Sequence, residues 1–136
     1  MTDRELLELA AKAAGYDTSH SWNAKRMKMQ PPVIGLWIPA VHTCWNPLED
    51  SGHALDLAVK LRIDICTDEN DPHPTENRQI CHVNAWPRNA AGCSEDCYPD
   101  PYAATRRAIV RAAAEIGKEI DDRKDWEDKN ENAQNK

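Results

Sequence analysis

Phenylalanine is absent from this chain of 136 residues, and glycine is scarce, with only five. The first absence leaves five Trp and three Tyr to supply the aromatic bulk. The second weighs against loops that cradle phosphates or dinucleotides. No G-x-x-x-x-G-K-[ST], G-x-G-x-x-G or G-x-S-x-G is present. Long apolar runs are missing too, and nothing approaches the length of a transmembrane helix. The start, Met1-Thr2-Asp3-Arg4-Glu5, lacks the basic and then apolar pattern of a signal peptide. Positive charge is outnumbered: 17 Lys and Arg stand against 23 Asp and Glu, a net charge of −6. Phosphate backbones need clustered cations, so generic nucleic-acid binding is not expected. Five Cys is an odd number in a chain without an export signal. Reduced thiols in a cytoplasm are expected, not a secreted disulfide framework.

What remains is enough for one domain, since a chain of this size buries roughly two thirds of its surface without needing a metal or a cross-link. Thr2 and Glu5 have capping-box spacing and Gly15 supplies a left-handed stop, so a helix is expected over 3–14 with Leu6, Leu9, Ala10 and Ala13 inward. Residues 16–32 read as polar and irregular. A strand follows over Val33–Ile38, closed by Pro39. The segment 39–48 reads as a loop with an Asn46-Pro47 turn. A second helix, capped by Asp50 or Ser51, runs to Leu61 on the stripe Ala54, Leu57, Ala58, Leu61. Alternation over 62–67 gives a half-buried strand with Ile63 and Ile65 inward, and Gln79–Trp86 gives a third strand. Trp37 and Trp86 are expected in the core or at its edge. After a loop over 87–101, a third helix starts near Pro101 and ends near Asp122, with Thr105, Ile109, Ala113, Ile116 and Ile120 on one stripe. The fold class is therefore α+β, in the order α-β-α-β-β-α. A three-stranded, mainly antiparallel sheet is covered by three amphipathic helices, with part of one sheet face wet. Residues 1–122 form the domain, and 123–136 form an acidic tail expected to be disordered, since only Trp126 in it offers large apolar surface.

Three blocks carry a family resemblance. They are Arg4-Glu5-Leu6-Leu7-Glu8-Leu9-Ala10-Ala11, the turn Trp45-Asn46-Pro47-Leu48-Glu49-Asp50 leading into Ala54-Leu55-Asp56-Leu57, and Ala104-Thr105-Arg106-Arg107-Ala108-Ile109-Val110-Arg111. Together they resemble small phage and prophage proteins of the ABA-sandwich, NinX-like kind. The resemblance implies a phage gene product acting in a bacterial cytoplasm, and it brings no catalytic residues with it. The loop Cys93-Ser94-Glu95-Asp96-Cys97 departs from that pattern.

Candidate chemistry is sparse. Cys93 and Cys97 have zinc-ligand spacing but no second pair to complete four donors, so they are weak metal candidates and no cofactor is expected. Asp68-Glu69-Asn70-Asp71 lacks the Gly and terminal Glu of a calcium loop. Cys81 and His82 alternate across a strand, and His42 with Cys44 lacks an evident third group, so no catalytic residue is assigned. Basic clusters occur at Lys25, Arg26, Lys28 and at Arg106, Arg107, Arg111, with a solvated face as the plain reading of each. Trp45, Arg107, Arg111 and Trp126 are the candidates for partner contact, because Trp and Arg are favoured at interface hot spots. The resulting expectation is a non-enzymatic binder or modulator of a host bacterial protein, with counter-defence as one setting. A homo-oligomer is compatible with this, and no membrane is involved. A nucleotide- or small-ligand-sequestering protein and a zinc-binding module are the alternatives.

Overall fold

Thr2 caps the first helix as its spacing to Glu5 requires. In the computed structural model α1 spans Asp3–Ala14; the Thr2 hydroxyl accepts the Glu5 N–H, the Glu5 carboxylate accepts the Thr2 N–H, and Gly15 ends the helix at φ 79°. That angle is left-handed and costs a residue without Cβ nothing. The structure describes residues 1–67, 71, 72, 75, 79, 80, 82–88 and 90–134. Within them follow α2 (Ser21–Met27), β1 (Leu36–Ile38), a 3-10 turn (Pro39–Val41), β2 (Thr43–Trp45) and α3 (Ser51–Leu61). Beyond these lie β3 (Asp64–Thr67), β4 (Asp71–Pro72), β5 (Gln79–Ile80), β6 (His82–Trp86), β7 (Cys93–Asp96) and α4 (Pro101–Gln134).

The mixed α+β class holds, but the element order is richer than expected. The strand expected over 33–38 is confined to Leu36–Ile38 and joins no larger sheet; it pairs with β2 as a hairpin, Leu36 opposite Trp45 and Ile38 opposite Thr43. The three-stranded sheet is antiparallel with order β3-β6-β7, and its third member lies in the segment read as a loop. β4 and β5 form a separate antiparallel pair. α2 was also unexpected. It is held by Asn23, whose amide donates to the Thr18 and Trp37 carbonyls and accepts the Trp37 N–H. Both backbone groups of Trp37 therefore point away from β2, and one buried side chain satisfies that edge as a neighbouring strand would.

The core is organised around α4, which packs against α1, α3, β6 and β7. A helix pressed from several directions needs small side chains on most of its circumference. Ala104, Ala108, Ile109, Val110, Ala112, Ala113 and Ala114 are all buried. This replaces the single expected stripe: Ile109 and Ala113 are inside, Thr105 and Ile116 are half-buried, and Ile120 is exposed. α1 is turned by about one position relative to the expectation, burying Leu6, Leu7, Ala10, Ala11 and Ala14 while Leu9 and Ala13 are half-exposed. At the crossing a Cβ on Gly117 would stand 2.2 Å from the Leu9 carbonyl oxygen, so only glycine lets the two backbones meet.

Cover on the sheet is one-sided. Val83 and Ala85 are fully buried, whereas His82, Asn84 and Trp86 alternate onto the open face. Trp86 is consequently 58% exposed, not a core residue. Ile63 is buried as expected, but Ile65, opposite Ala85 on the edge strand β3, stays largely exposed. The expected helix end at Asp122 is likewise absent: α4 continues to Gln134, and residues 122–129 are all exposed. No Gly or Pro interrupts 118–136, and opposite charges recur four apart, as in Lys124/Asp128 and Asp125/Lys129. A helix already formed extends without a new nucleation cost.

Ile109→Ala should lower stability by about 2–4 kcal/mol. Gly117→Ala tests the crossing by its sign, because helix propensity alone predicts a gain of about 1 kcal/mol. The steric conflict with Leu9 predicts instead a loss of about 1–3 kcal/mol in chemical denaturation. Deleting 123–136 should leave the thermal midpoint nearly unchanged, since 123–129 and 131–133 are exposed. Glu5 and Asp50 are held below the ordinary carboxylate range, chiefly by the backbone N–H groups of Thr2 and His53 respectively. A depressed folded pKa gives stability that is present above the usual carboxylate range and is lost as pH falls through the folded value. Asp50→Asn should therefore flatten the acid limb of the stability profile.

Candidate functional site

The residues singled out from sequence fall mostly into structural roles. Trp45 is only 3% exposed and packs edge-on against Tyr16, with ring centroids 5.6 Å apart. It therefore presents no surface to a partner. Arg107 and Arg111 are not a solvated face. Arg107 donates to Asp3 at 3.0 Å, while Arg111 reaches both Glu95 at 2.6 Å and the Ser94 carbonyl at 3.1 Å. These bonds tie α4 to the start of α1 and to β7, and they raise the Arg111 pKa, chiefly through Glu95. Arg106 is committed similarly, donating to the Leu48 carbonyl and the Ser51 hydroxyl. Of the four partner candidates, Trp126 is the most exposed at 66%, and Arg107 and Arg111 keep about 40% of their side chains in solvent beside their ion pairs.

Cys93 and Cys97 are buried, and neither forms a disulfide. Cys93 begins β7 opposite Ala85, on the face covered by α4. Burial pushes its thiol above the ordinary range, against the opposing pull of Arg111. Among the described residues no group of three or more His, Cys, Asp or Glu side chains is placed to hold a metal ion. Cys81 and the acidic segment 68–70 lie outside the described residues.

The cavities sort by whether their polar groups are already satisfied. One, about 820 Å³, runs along α1, with Glu5, Glu8, Lys12, Asp17 and Asp121 in its lining. Each of its carboxylates has a local partner: Thr2 for Glu5, Arg4 for Glu8, Ser19 for Asp17 and Lys12 for Asp121. A second, about 490 Å³, has both Cys44 and His53 in its lining, and His42 is not part of that lining. There the His53 Nδ1 accepts the Asn46 N–H at 3.1 Å, and Cys44 Sγ accepts from Arg26 Nη2 at 3.0 Å. Both groups hold the hairpin in place against its neighbours.

A third cleft, about 390 Å³, is different in kind. It is lined by Trp22, Lys25, Arg26, Met29 and Val33. The chain returns on itself here because Val33 N–H donates to the Arg26 carbonyl at 3.0 Å, placing Val33 across from α2. Trp22 is 49% exposed and Met29 53%, yet Trp22 is not loose. Its ring lies 5.1 Å from Trp37 and 5.0 Å from His20, which also caps α2 through Nδ1. Arg26 lines it too, although its guanidinium turns to Cys44 and its Nε–H is buried without an acceptor in the protein. No Asp or Glu occurs between Asp17 and Glu49, a stretch that holds Lys25, Arg26 and Lys28. An aromatic and methionine-lined cleft thus sits in a positive neighbourhood on an otherwise acidic chain. That neighbourhood was legible as a basic cluster. The cleft was not, because it depends on α2 and on the return of Val33.

Thiol accessibility checks these placements. Cys66 is exposed on the open sheet face, whereas Cys93 is buried with its thiol held protonated. Iodoacetamide should modify Cys66 well before Cys93 in the native protein, and all thiols should react alike in urea. Equal native rates would mean that β7 does not lie under α4.

No known protein family, curated protein or solved structure matches the chain.

Proposed function

We propose that the chain is a phage accessory protein that works in a bacterial host cytoplasm as a non-enzymatic binder. Its cleft between α2 and Val33 takes an acidic segment of a host protein carrying an apolar side chain. The observation that carries this reading is the pairing of exposed Trp22 and Met29 with exposed Lys25 around one cleft. Exposed aromatic and methionine surface is what interfaces use for anchoring, and the exposed Lys25 beside it, in a stretch free of acids, favours a carboxylate. The phage setting rests on the resemblance of the Trp45–Asp50 turn and its flanking helices. Masking a host complex in counter-defence is the use such a binder would serve.

A photo-cross-linking residue at Met29, on the cleft wall, addresses the site directly in host lysate. Adducts should map to host segments rich in Asp or Glu. Capture should weaken by roughly tenfold or more with Trp22→Ala, as for a hot-spot aromatic, and also with Lys25→Glu. Trp86→Ala, on the open sheet face, should leave it unchanged. Capture indifferent to Trp22 and Lys25, or adducts without acidic residues, would remove the cleft from consideration.

A further inference from the structure

We propose that Cys44 is a modification site at which a small neutral hydroperoxide forms a sulfenic acid, and that Arg26 holds the product. From α2, Arg26 reaches the middle of β2, where its Nη2 donates to Cys44 Sγ at 3.0 Å. Nη2 and Nε lie on one edge of the guanidinium, and such an edge presents two parallel N–H groups to two acceptor atoms. A thiol supplies one acceptor. The second donor of this edge, the Arg26 Nε–H, is buried with no acceptor in the protein. An oxygen bonded to the sulfur adds an acceptor beside the one already used. The group that Arg26 lacks is thus made on Cys44 itself, and no molecule has to enter and stay.

The sulfur is reachable. Cys44 is half-buried and lines the cavity of about 490 Å³ together with Gly35 and His53. Gly35 keeps the sulfur uncrowded, since a Cβ there would stand 2.7 Å from Sγ. Glu49 and Asp50 in the same lining disfavour anionic oxidants, so hydrogen peroxide, small and uncharged, is the fitting one. In the step, the sulfur attacks one peroxide oxygen, and the S–O bond forms as the O–O bond breaks. Sulfur gives up two electrons, and the departing hydroxide takes the thiol proton to become water. The sulfenic oxygen then accepts the Arg26 Nε–H, while Nη2 keeps its place at the sulfur. Half-burial slows condensation with a second thiol, the ordinary fate of a sulfenic acid. The site meets the α2 cleft at Val33 and Arg26 but does not depend on what that cleft binds.

The full chain is exposed briefly to hydrogen peroxide, and catalase removes the excess. Dimedone then traps sulfenic acid either at once or after a delay, and labelled peptides are read by mass spectrometry. Cys66, the exposed thiol on β3, is the internal comparison. Prompt trapping should label Cys44. Delayed trapping should still label it several times more than Cys66, and the excess should vanish when the same delay is spent in urea. Arg26→Lys keeps a positive charge but not the paired donors, so its delayed label on Cys44 should fall to the level of Cys66. Native Cys44 that takes no prompt label overturns the inference, as does one that goes straight to the sulfinic acid. Delayed labels that decay alike at the two cysteines overturn it too, as does Arg26→Lys matching wild type. If that variant loosens the hairpin, the wild-type comparison of native protein against urea decides alone.

Discussion

The approach of α4 to α1 sets the terms for the rest of the molecule. With Leu9 and Gly117 in backbone contact, the pair is drawn together more tightly than larger side chains would permit. Ala10, Ala11 and Ala14 on α1, and Ala108 and Ala112–Ala114 on α4, are consequences of the same constraint. Small residues contribute little apolar area each, so the core needs contact on several sides of α4 to bury enough of it. That is why β6 and β7 lie against α4; among the described residues the other face of the sheet stays open. The polar ties at the ends follow: Arg107 with Asp3 at the start of the seam, and Lys12 with Asp121 at its close. Partly exposed ion pairs of this kind add about 0–1 kcal/mol each, so their part is to set register more than to supply stability.

Local signals were legible in the sequence wherever the chain's own neighbours decide the outcome. The Thr2–Glu5 box, the Gly15 stop and the Asp50 cap each satisfy orphan backbone groups within three or four residues, and the structure has all of them. Features that depend on distant partners were not legible. β7 reads Cys-Ser-Glu-Asp, a poor strand by propensity. It is a strand because β6 pairs with it and because Glu95, on the covered face, meets Arg111. β2 is only Thr43–Trp45 and exists as the partner of β1. In α4 the Ala-rich run concealed how many sides are buried, since alanine fits both a surface and a tight seam.

The site repeats this division. Lys25, Arg26 and Lys28 stand out as a basic cluster in sequence, but a solvated loop was the plain reading until α2 gave them a geometry. Conversely, Arg107 and Arg111 looked available and are engaged by Asp3, Ser94 and Glu95. The physical reason is the same for both clusters. Whether a charge is free depends on which backbone or carboxylate the fold delivers to it, and that delivery is tertiary.

Two adjacent residues show how the cleft is built without being closed. Asn23 is buried and uses its amide to bind the Trp37 backbone, while Trp22 beside it faces outward onto the Trp37 ring. The amide thus fixes the helix that carries the exposed indole, and the second indole limits where the first can turn. A ligand meeting this surface would lose little side-chain entropy in ordering it, because the fold has already done so. An exposed tryptophan held this way, beside an arginine whose Nε–H lacks an acceptor, is not a packing remainder that a larger core would have absorbed. Folding leaves that donor buried without a protein acceptor, a cost of about 1–3 kcal/mol, while Nη2 of the same guanidinium is committed to Cys44 on the hairpin.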